Sequence, residues 1–263
     1  MATLVSFHAH PDDETIPTGG TLAKAAKDGH RVVLVFATRG EHGEVDDGFL
    51  EPGEQLWQRR EQETQRAAEI LGAARVEFLG YIDSGMMGTP ENEAPESFWQ
   101  ADVEDAARRL AAILDEEHAD VFTIYDENGV YGHPDHIQIY RVGVRAAELA
   151  GTPRVYESTA NRDDVQQGLI EAREAGLPLP GDLDPDALDD FGVTEDRITT
   201  AVDVTEYLEV KRAAMAAHAS QISETSFFLA MPREFFQRAF GTEWYIRRGA
   251  PPGTSETSLF DGL

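Results

Sequence analysis

The chain contains no cysteine. That excludes disulfides, a cysteine nucleophile, thiolate zinc sites and iron–sulfur clusters, so any metal site must be built from His, Asp and Glu. Lysine is scarce: Lys24, Lys27 and Lys211 are the only three, the remaining bases being arginine. Long hydrophobic runs are missing as well. Stretches such as Val32–Ala37 fall far short of the ~18 residues of a membrane helix. The opening Met1-Ala2-Thr3-Leu4-Val5 has no basic n-region and runs straight into a strand-like segment, so no secretory signal is read and a cytoplasmic location is expected. No solenoid-type repeat is visible.

Negative charge is present in excess. Acids number 49 against 22 bases, a net of −27 over 263 residues. Such a surface repels nucleic acid and anionic membranes, and neither is an expected partner. Its first reading is solubility. A sharper reading is adaptation to high salt, where ions screen the self-repulsion that loosens the fold. Apolar residues at 41% and aromatics at 9% exclude a disordered chain. The length suffices for a full core, in one large domain or two.

The first 160 residues alternate between strand-like and helix-like segments. Strands are predicted at Thr3–His8, Arg31–Thr38, Val76–Leu79, Val121–Tyr125 and Arg154–Glu157. Helices are predicted at Gly19–Lys27, Glu54–Leu71, Glu96–Glu117 and His136–Ala150. This alternation argues for an α/β fold, a Rossmann-like, mostly parallel sheet with helices on both faces and right-handed crossovers. Residues 161–200 break the rhythm, with eleven acids and a Pro-rich run from Leu177 to Asp186, and read as an acidic surface insertion or lid. Structure is expected to resume with a strand at Ile198–Val202 and a helix at Val204–Ser220, N-capped by Thr205. Residues 201–248 then complete the same domain, and the Gly/Pro/Ser-rich 249–263 reads as a weakly ordered tail.

Two polar segments fall where open α/β sheets bind ligands, beyond the carboxyl ends of strands. His8-Ala9-His10-Pro11-Asp12-Asp13-Glu14 follows the first strand, and Tyr131-Gly132-His133-Pro134-Asp135-His136 follows Val121–Tyr125; together they hold four of the eight histidines. Without thiolates, zinc favours imidazole and carboxylate. His10 and Asp13 lie three apart across a strand-to-helix turn stiffened by Pro11. A third ligand, His133 or His136, completes a His2Asp set with a position open to water and substrate. Asp12 sits beside a ligand and can accept a proton from water whose pKa the metal pulls toward ~7. Either segment alone reads as ordinary turn and cap chemistry. The matched pair points to a metal. A dinucleotide binder is disfavoured, since His-Pro-Asp-Asp stands where a Gly-x-Gly-x-x-Gly turn is required.

At these residues the sequence resembles the LmbE-like, or PIG-L, family of zinc-dependent N-deacetylases. His8–Glu14 looks like its A-H-P-D-D-E signature and Gly132–His136 like its second. Tyr81–Met86 resembles the D-S-G-M segment of the mycothiol-related branch, as does Tyr125–Gly129 leading into the second signature. Arg60 and Glu63, ahead of Gly72, resemble an R-x-x-E helix, and Lys211 with His218–Gln221 a K…H-x-S-Q helix. The resemblance implies His10, Asp13 and His136 as ligands of Zn2+, with Fe2+ as the alternative metal, and Asp12 as general base. It implies that His133 stabilises the oxyanion and could protonate the leaving amine, and that Asp135 orients or tunes His133; a carboxylate beside an imidazole is also expected to raise the His133 pKa. Tyr131 would polarise the scissile carbonyl, and Arg60 and Asp83 would hold sugar hydroxyls.

The expected partner is therefore a small-molecule amide, an amino-sugar conjugate. The expected activity is deacetylation of an N-acetylglucosamine-type glycoconjugate, the implied branch being glucosaminyl-inositol chemistry. The alternative is cleavage of a larger acyl group from a mycothiol-like thiol conjugate. Other residues read as bland: Glu41–Glu44 as a solvated loop, Arg39 as paired with acids or facing substrate, Phe227, Phe228, Phe235 and Phe236 as packing, His30 and His118 as structural or surface.

Overall fold

The computed structural model describes residues 1–176 and 184–263. Five parallel strands come first in the chain: β1 (Thr3–His8), β2 (Arg31–Phe36), β3 (Arg75–Phe78), β4 (Val121–Tyr125) and β5 (Arg154–Thr159). β6 (Thr200–Asp203) and β7 (Thr242–Arg247) follow later. The seven lie in the order β3-β2-β1-β4-β5-β7-β6, with β7 antiparallel to both neighbours and the rest parallel. Strand order therefore reverses between β1 and β4, which is the switch point where such sheets open a crevice. These are the strands that carry the two His-Pro-Asp segments.

Both faces are covered, which is why β2 is apolar along nearly its whole length. On one face α3 (Val103–Glu116) and α5 (Pro134–Ala150) bury Leu110, Ile139 and Val142 against Val5, Phe7 and Phe122. On the other, α1 (Gly19–Lys27), α2 (Leu56–Leu71) and α7 (Leu208–Ala217) cover Leu4, Leu34, Phe36 and Val121. The short α4 (Gly129–Gly132) leads into α5, while α6 (Arg162–Glu174) lies in the acidic segment. α8 (Phe227–Ala230) and α9 (Arg233–Phe240) form a satellite cluster with α7 around Met215 and Phe236. Lys211 on α7 is buried and donates to Glu243 on β7 at 2.8 Å. Glu243 in turn accepts the first free N–H groups of α1, from Gly20 and Thr21 at 2.8 and 2.7 Å.

Several expected boundaries move. The helix predicted from Glu96 divides into a 3-10 turn at Phe98–Gln100 and α3, because the Asp102 carboxylate accepts from Asp105 N at 2.9 Å and starts a new helix. The helix expected to be capped by Thr205 begins at Leu208 after a 3-10 turn at Thr205–Tyr207; Thr205 N is instead bonded by Asp203. Residues 161–200 contain α6, capped by Asn161, and the Pro-rich run lies largely outside the described residues. The segment 249–263 does not lie free: Leu259 is 1% exposed, Phe260 stacks on His30 at 3.8 Å, and Glu256 bonds Thr200.

Candidate metal centre and active site

β1 delivers the first segment at its carboxyl end. His8 itself stays inside the sheet, bonded to Ser6 Oγ at 2.7 Å and Tyr125 Oη at 3.0 Å, and burial pushes its pKa down to about 4. His10, Asp12 and Asp13 emerge beyond it. Asp12 has φ of +105°, a strained value for a residue with a Cβ. Its N–H donates to Glu14 Oε2 at 2.9 Å, and its carbonyl accepts from Thr15 N and Oγ1 at 2.9 and 2.7 Å.

β4 delivers the second segment. Asp126 is buried and accepts the N–H groups of Asn128 and Val130 at 3.0 Å each. Val130, a β-branched residue at φ +67°, is strained. His133 caps α5: its Nδ1 accepts from Asp135 N at 3.1 Å, and Pro134 fills the first helical position. His136 follows on the inner face of the first turn, its ring against Tyr125 at 4.6 Å.

His10 Nδ1 and His136 Nε2 both approach Asp13 Oδ2, each at 3.4 Å. Both ring nitrogens of His136 are buried and make no hydrogen bond. Buried imidazole nitrogens without partners are costly, and a divalent cation shared with His10 and Asp13 would satisfy one of them. The residues present therefore fit the metal. His133 also brings a ring nitrogen within 4.8 Å of those of His10 and His136, so the donor set is surrounded rather than minimal.

The environment sorts these groups by charge. Burial raises the Asp12 carboxyl to about 6, with Asp13 adding to the effect and the Arg60 guanidinium opposing it. Asp13 is held low, because His136 and His10 outweigh its burial. Burial opposes a charge on His10, but Asp83, Asp13 and Asp135 raise its pKa nonetheless.

Two expectations need correction. The Asp135 carboxylate does not meet the His133 ring. Its Oδ2 faces His10 Nε2 at 3.1 Å and accepts Ser84 N at 2.9 Å, and Oδ1 accepts from Ser84 Oγ. It is thus the outer partner of His10, the usual arrangement behind a metal-bound imidazole. Nor is the His133 pKa raised. Burial, then His10 and His136, pushes it down to about 3.

Arg60 and Asp83 are brought to the site but turned toward protein. The Arg60 guanidinium bonds Gly40 O at 2.9 Å and Pro11 O, and lies 3.4 Å from Asp12 Oδ2. Asp83 lies 3.5 Å from His10 Nε2 and accepts from Gly85 and His42 N–H groups. The Glu41–Glu44 loop, read as solvated, backs Asp83 through Glu41. Arg39 pairs with Glu61 and lies over Trp57. Tyr131 stands at the rim, 46% exposed, its ring 4.9 Å from that of His136. Sequence reasoning gave no role to Ser84, Glu14 or Asp126; each acts through a backbone or an outer contact that residue type alone does not announce. A cavity of about 640 Å3 beside β7, lined by Arg197, Arg247 and Arg248 among acids, contains none of these residues.

A donor set for one cation, with a single adjacent carboxylate left near neutrality to move protons, defines the class: a metal-dependent hydrolytic enzyme on a doubly wound α/β sheet. The chain belongs to the PIG-L family, described as GlcNAc-PI de-N-acetylase, whose profile matches residues 5–147. It is 40% identical over 288 residues to a 1D-myo-inositol 2-acetamido-2-deoxy-alpha-D-glucopyranoside deacetylase of Thermomonospora curvata, covering 99% of this chain and 96% of the relative. It is 42% identical over 280 residues to the same enzyme of Acidothermus cellulolyticus, covering 100% and 96%. Its fold is similar to that of the N,N'-diacetylchitobiose deacetylase of Pyrococcus horikoshii, with a TM-score of 0.60 at 18% identity over 95% and 84% of the two chains. Among the described residues no helix is long and apolar enough to cross a membrane.

Proposed function

We propose that this protein is a metal-dependent N-deacetylase acting in the cytoplasm on an N-acetylglucosaminyl glycoside, 1D-myo-inositol 2-acetamido-2-deoxy-alpha-D-glucopyranoside being the foremost substrate. The observation that carries the reading is the convergence of His10, Asp13 and the unpartnered His136 imidazole beside Asp12. The near-full-length relatives supply the substrate class. His10, Asp13 and His136 would hold the ion, Zn2+ or Fe2+, and Asp135 would orient His10. When bound, the ion polarises the amide carbonyl and makes water acidic enough to lose a proton near neutral pH.

Asp12 takes that proton as general base. Its own pKa of about 6 suits both acceptance and return. Because His133 Nδ1 accepts the Asp135 N–H, the proton of the neutral ring lies on Nε2. His133 is therefore a hydrogen-bond donor to the oxyanion of the tetrahedral intermediate. Delivering that proton outright would leave an imidazolate, so the amine leaves with the proton carried by Asp12. Water adds to the acetyl carbon, the C–N bond breaks, and the products are acetate and a free amine. Tyr131, half-exposed at the rim beside His136, would polarise the scissile carbonyl.

The test is metal analysis of the purified protein together with acetate release from the glucosaminyl-inositol substrate, N-acetylglucosamine and a larger thiol conjugate. Acetate from the first, abolished by a chelator and restored by Zn2+ or Fe2+, is expected. Turnover of the thiol conjugate alone would replace the deacetylase with the larger-acyl amidase.

A further inference from the structure

The family match ends at residue 147, yet a much later segment reaches the underside of the site. After α7 the residues His218–Gln221 turn beneath the Glu14 and Glu44 loops and against helix α2. His218 Nε2 meets Glu14 Oε1 at 2.6 Å, with both side chains fully buried. The other oxygen of Glu14, Oε2, accepts the N–H of Asp12 at 2.9 Å. Ser220 donates from N and Oγ to the two oxygens of Glu63, at 2.9 and 2.6 Å, on the helix that carries Arg60. Gln221 Nε2 donates to Glu44 O at 3.0 Å.

Glu14 is thus held at both ends, by the side chain of His218, the residue that closes α7, and by the backbone of Asp12. A carboxylate free at one end rotates; one clamped by His218 presents Oε2 in a fixed direction. The N–H it accepts belongs to the residue at φ +105°, a conformation that persists only where its surroundings over-determine it. Without Glu14 that part-buried N–H would lack its partner.

We propose that His218, acting through Glu14, is a positioning residue for Asp12: the clamp fixes the backbone conformation that aims the Asp12 carboxylate at the water of amide hydrolysis. The inference rests on the deacetylase reading above. A merely structural ion pair changes the melting temperature alone. A positioning pair changes kcat at constant KM and metal content, because a displacement of ~1 Å in a catalytic group costs up to ~10²-fold in rate.

The experiment compares His218→Leu, His218→Gln and the double variant Lys211→Met/Glu243→Gln. The double variant removes another buried pair of α7 that touches neither Glu14 nor Asp12. All are assayed well below their melting temperatures. His218→Leu is expected to lose about 10- to 100-fold in kcat with KM within about threefold and metal content unchanged. His218→Gln, which keeps a donor, should recover most of the rate, and the double variant should lower the melting temperature with kcat within about twofold of wild type. Hydrogen exchange of a peptide spanning residues 12–15 is the second readout and needs no substrate. It should speed up in His218→Leu while β1 and β4 stay protected.

A folded His218→Leu with wild-type kcat and wild-type exchange at 12–15 overturns the proposal; so does metal lost in step with activity. Should His218→Leu not fold, Glu14→Gln decides, since it turns an amide NH2 toward His218: the same rate loss and faster exchange support the clamp, wild-type values refute it. Wild-type protein that releases no acetate defeats the deacetylase reading, while the exchange data still decide whether His218 holds Asp12.

Discussion

Asp12 and Asp13 are adjacent in the chain, yet their surroundings pull them in opposite directions, one toward neutrality and one toward permanent charge. The division predicts different losses. Asp12→Asn should keep its metal and lower kcat by roughly 10²–10⁴, the range of a general acid–base group; loss of metal in that variant would make Asp12 a ligand. His136→Ala should lose metal and activity together, and full metal content would move the ligand role to His133. His133→Ala should cost about 10²–10³ in kcat as an oxyanion donor. Its pKa of about 3 keeps it neutral over the working range, so the basic limb of the kcat/KM profile should survive in this variant. A limb that vanished would restore His133 as an acid. That His10, Asp13 and His136 meet at one place was legible in the sequence, because two matched His-Pro-Asp segments follow strands that lie side by side at the switch point. The partner of Asp135 was not, since Ser84 and His10 reach it from two other loops.

Among the elements, β1, α1 and β4 were legible to the residue, being short, uniformly apolar or closed by polar turns. α3 was not, because Phe98 and Trp99 extend its apolar pattern upstream of the cap at Asp102. The residue that closes α7, His218, shows how the end of an element contributes beyond its packing. Burial opposes a charge on His218, but Glu14 overcomes it and raises the His218 pKa above its ordinary 6.5. A raised pKa means stability that is fully present below about 6.5 and lost as pH rises through the folded value. The melting temperature of wild type should therefore exceed that of His218→Gln by more at pH 6 than at pH 9. A constant gap would mean that the pair is not ionic. The strained Val130 is the corresponding feature of α4. Val130→Gly should relieve the positive φ and leave the fold at least as stable, with a lower kcat because Tyr131 is less constrained; an unchanged kcat would separate that strain from function.

For the molecule as a whole, the sheet was legible as parallel and covered on both faces, but its order was not. The reversal between β1 and β4 is set by which helix covers which face, information spread over the entire core. The tail was misjudged for a similar reason: Leu259 and Phe260 find their sites on residues distant in sequence. The net charge of −27 acts at this scale. Screening falls from ~10 Å at 0.1 M salt to ~3 Å at 1 M, so the melting temperature should climb by several degrees from low to molar KCl. A flat or falling curve would show that the ion pairs lost to screening outweigh the repulsion relieved.

The scarcity of lysine has a practical side. Lys211 is locked in the core with Glu243, which leaves Lys24 and Lys27 as the lysines open to amine-reactive chemistry. The two lysines occupy the last turn of α1, so both lie at the amino edge of the sheet, across the molecule from the mouth of the site. Coupling to an activated resin should then tether the protein by its back, with the opening facing the bulk solution and nearly all of its turnover intact.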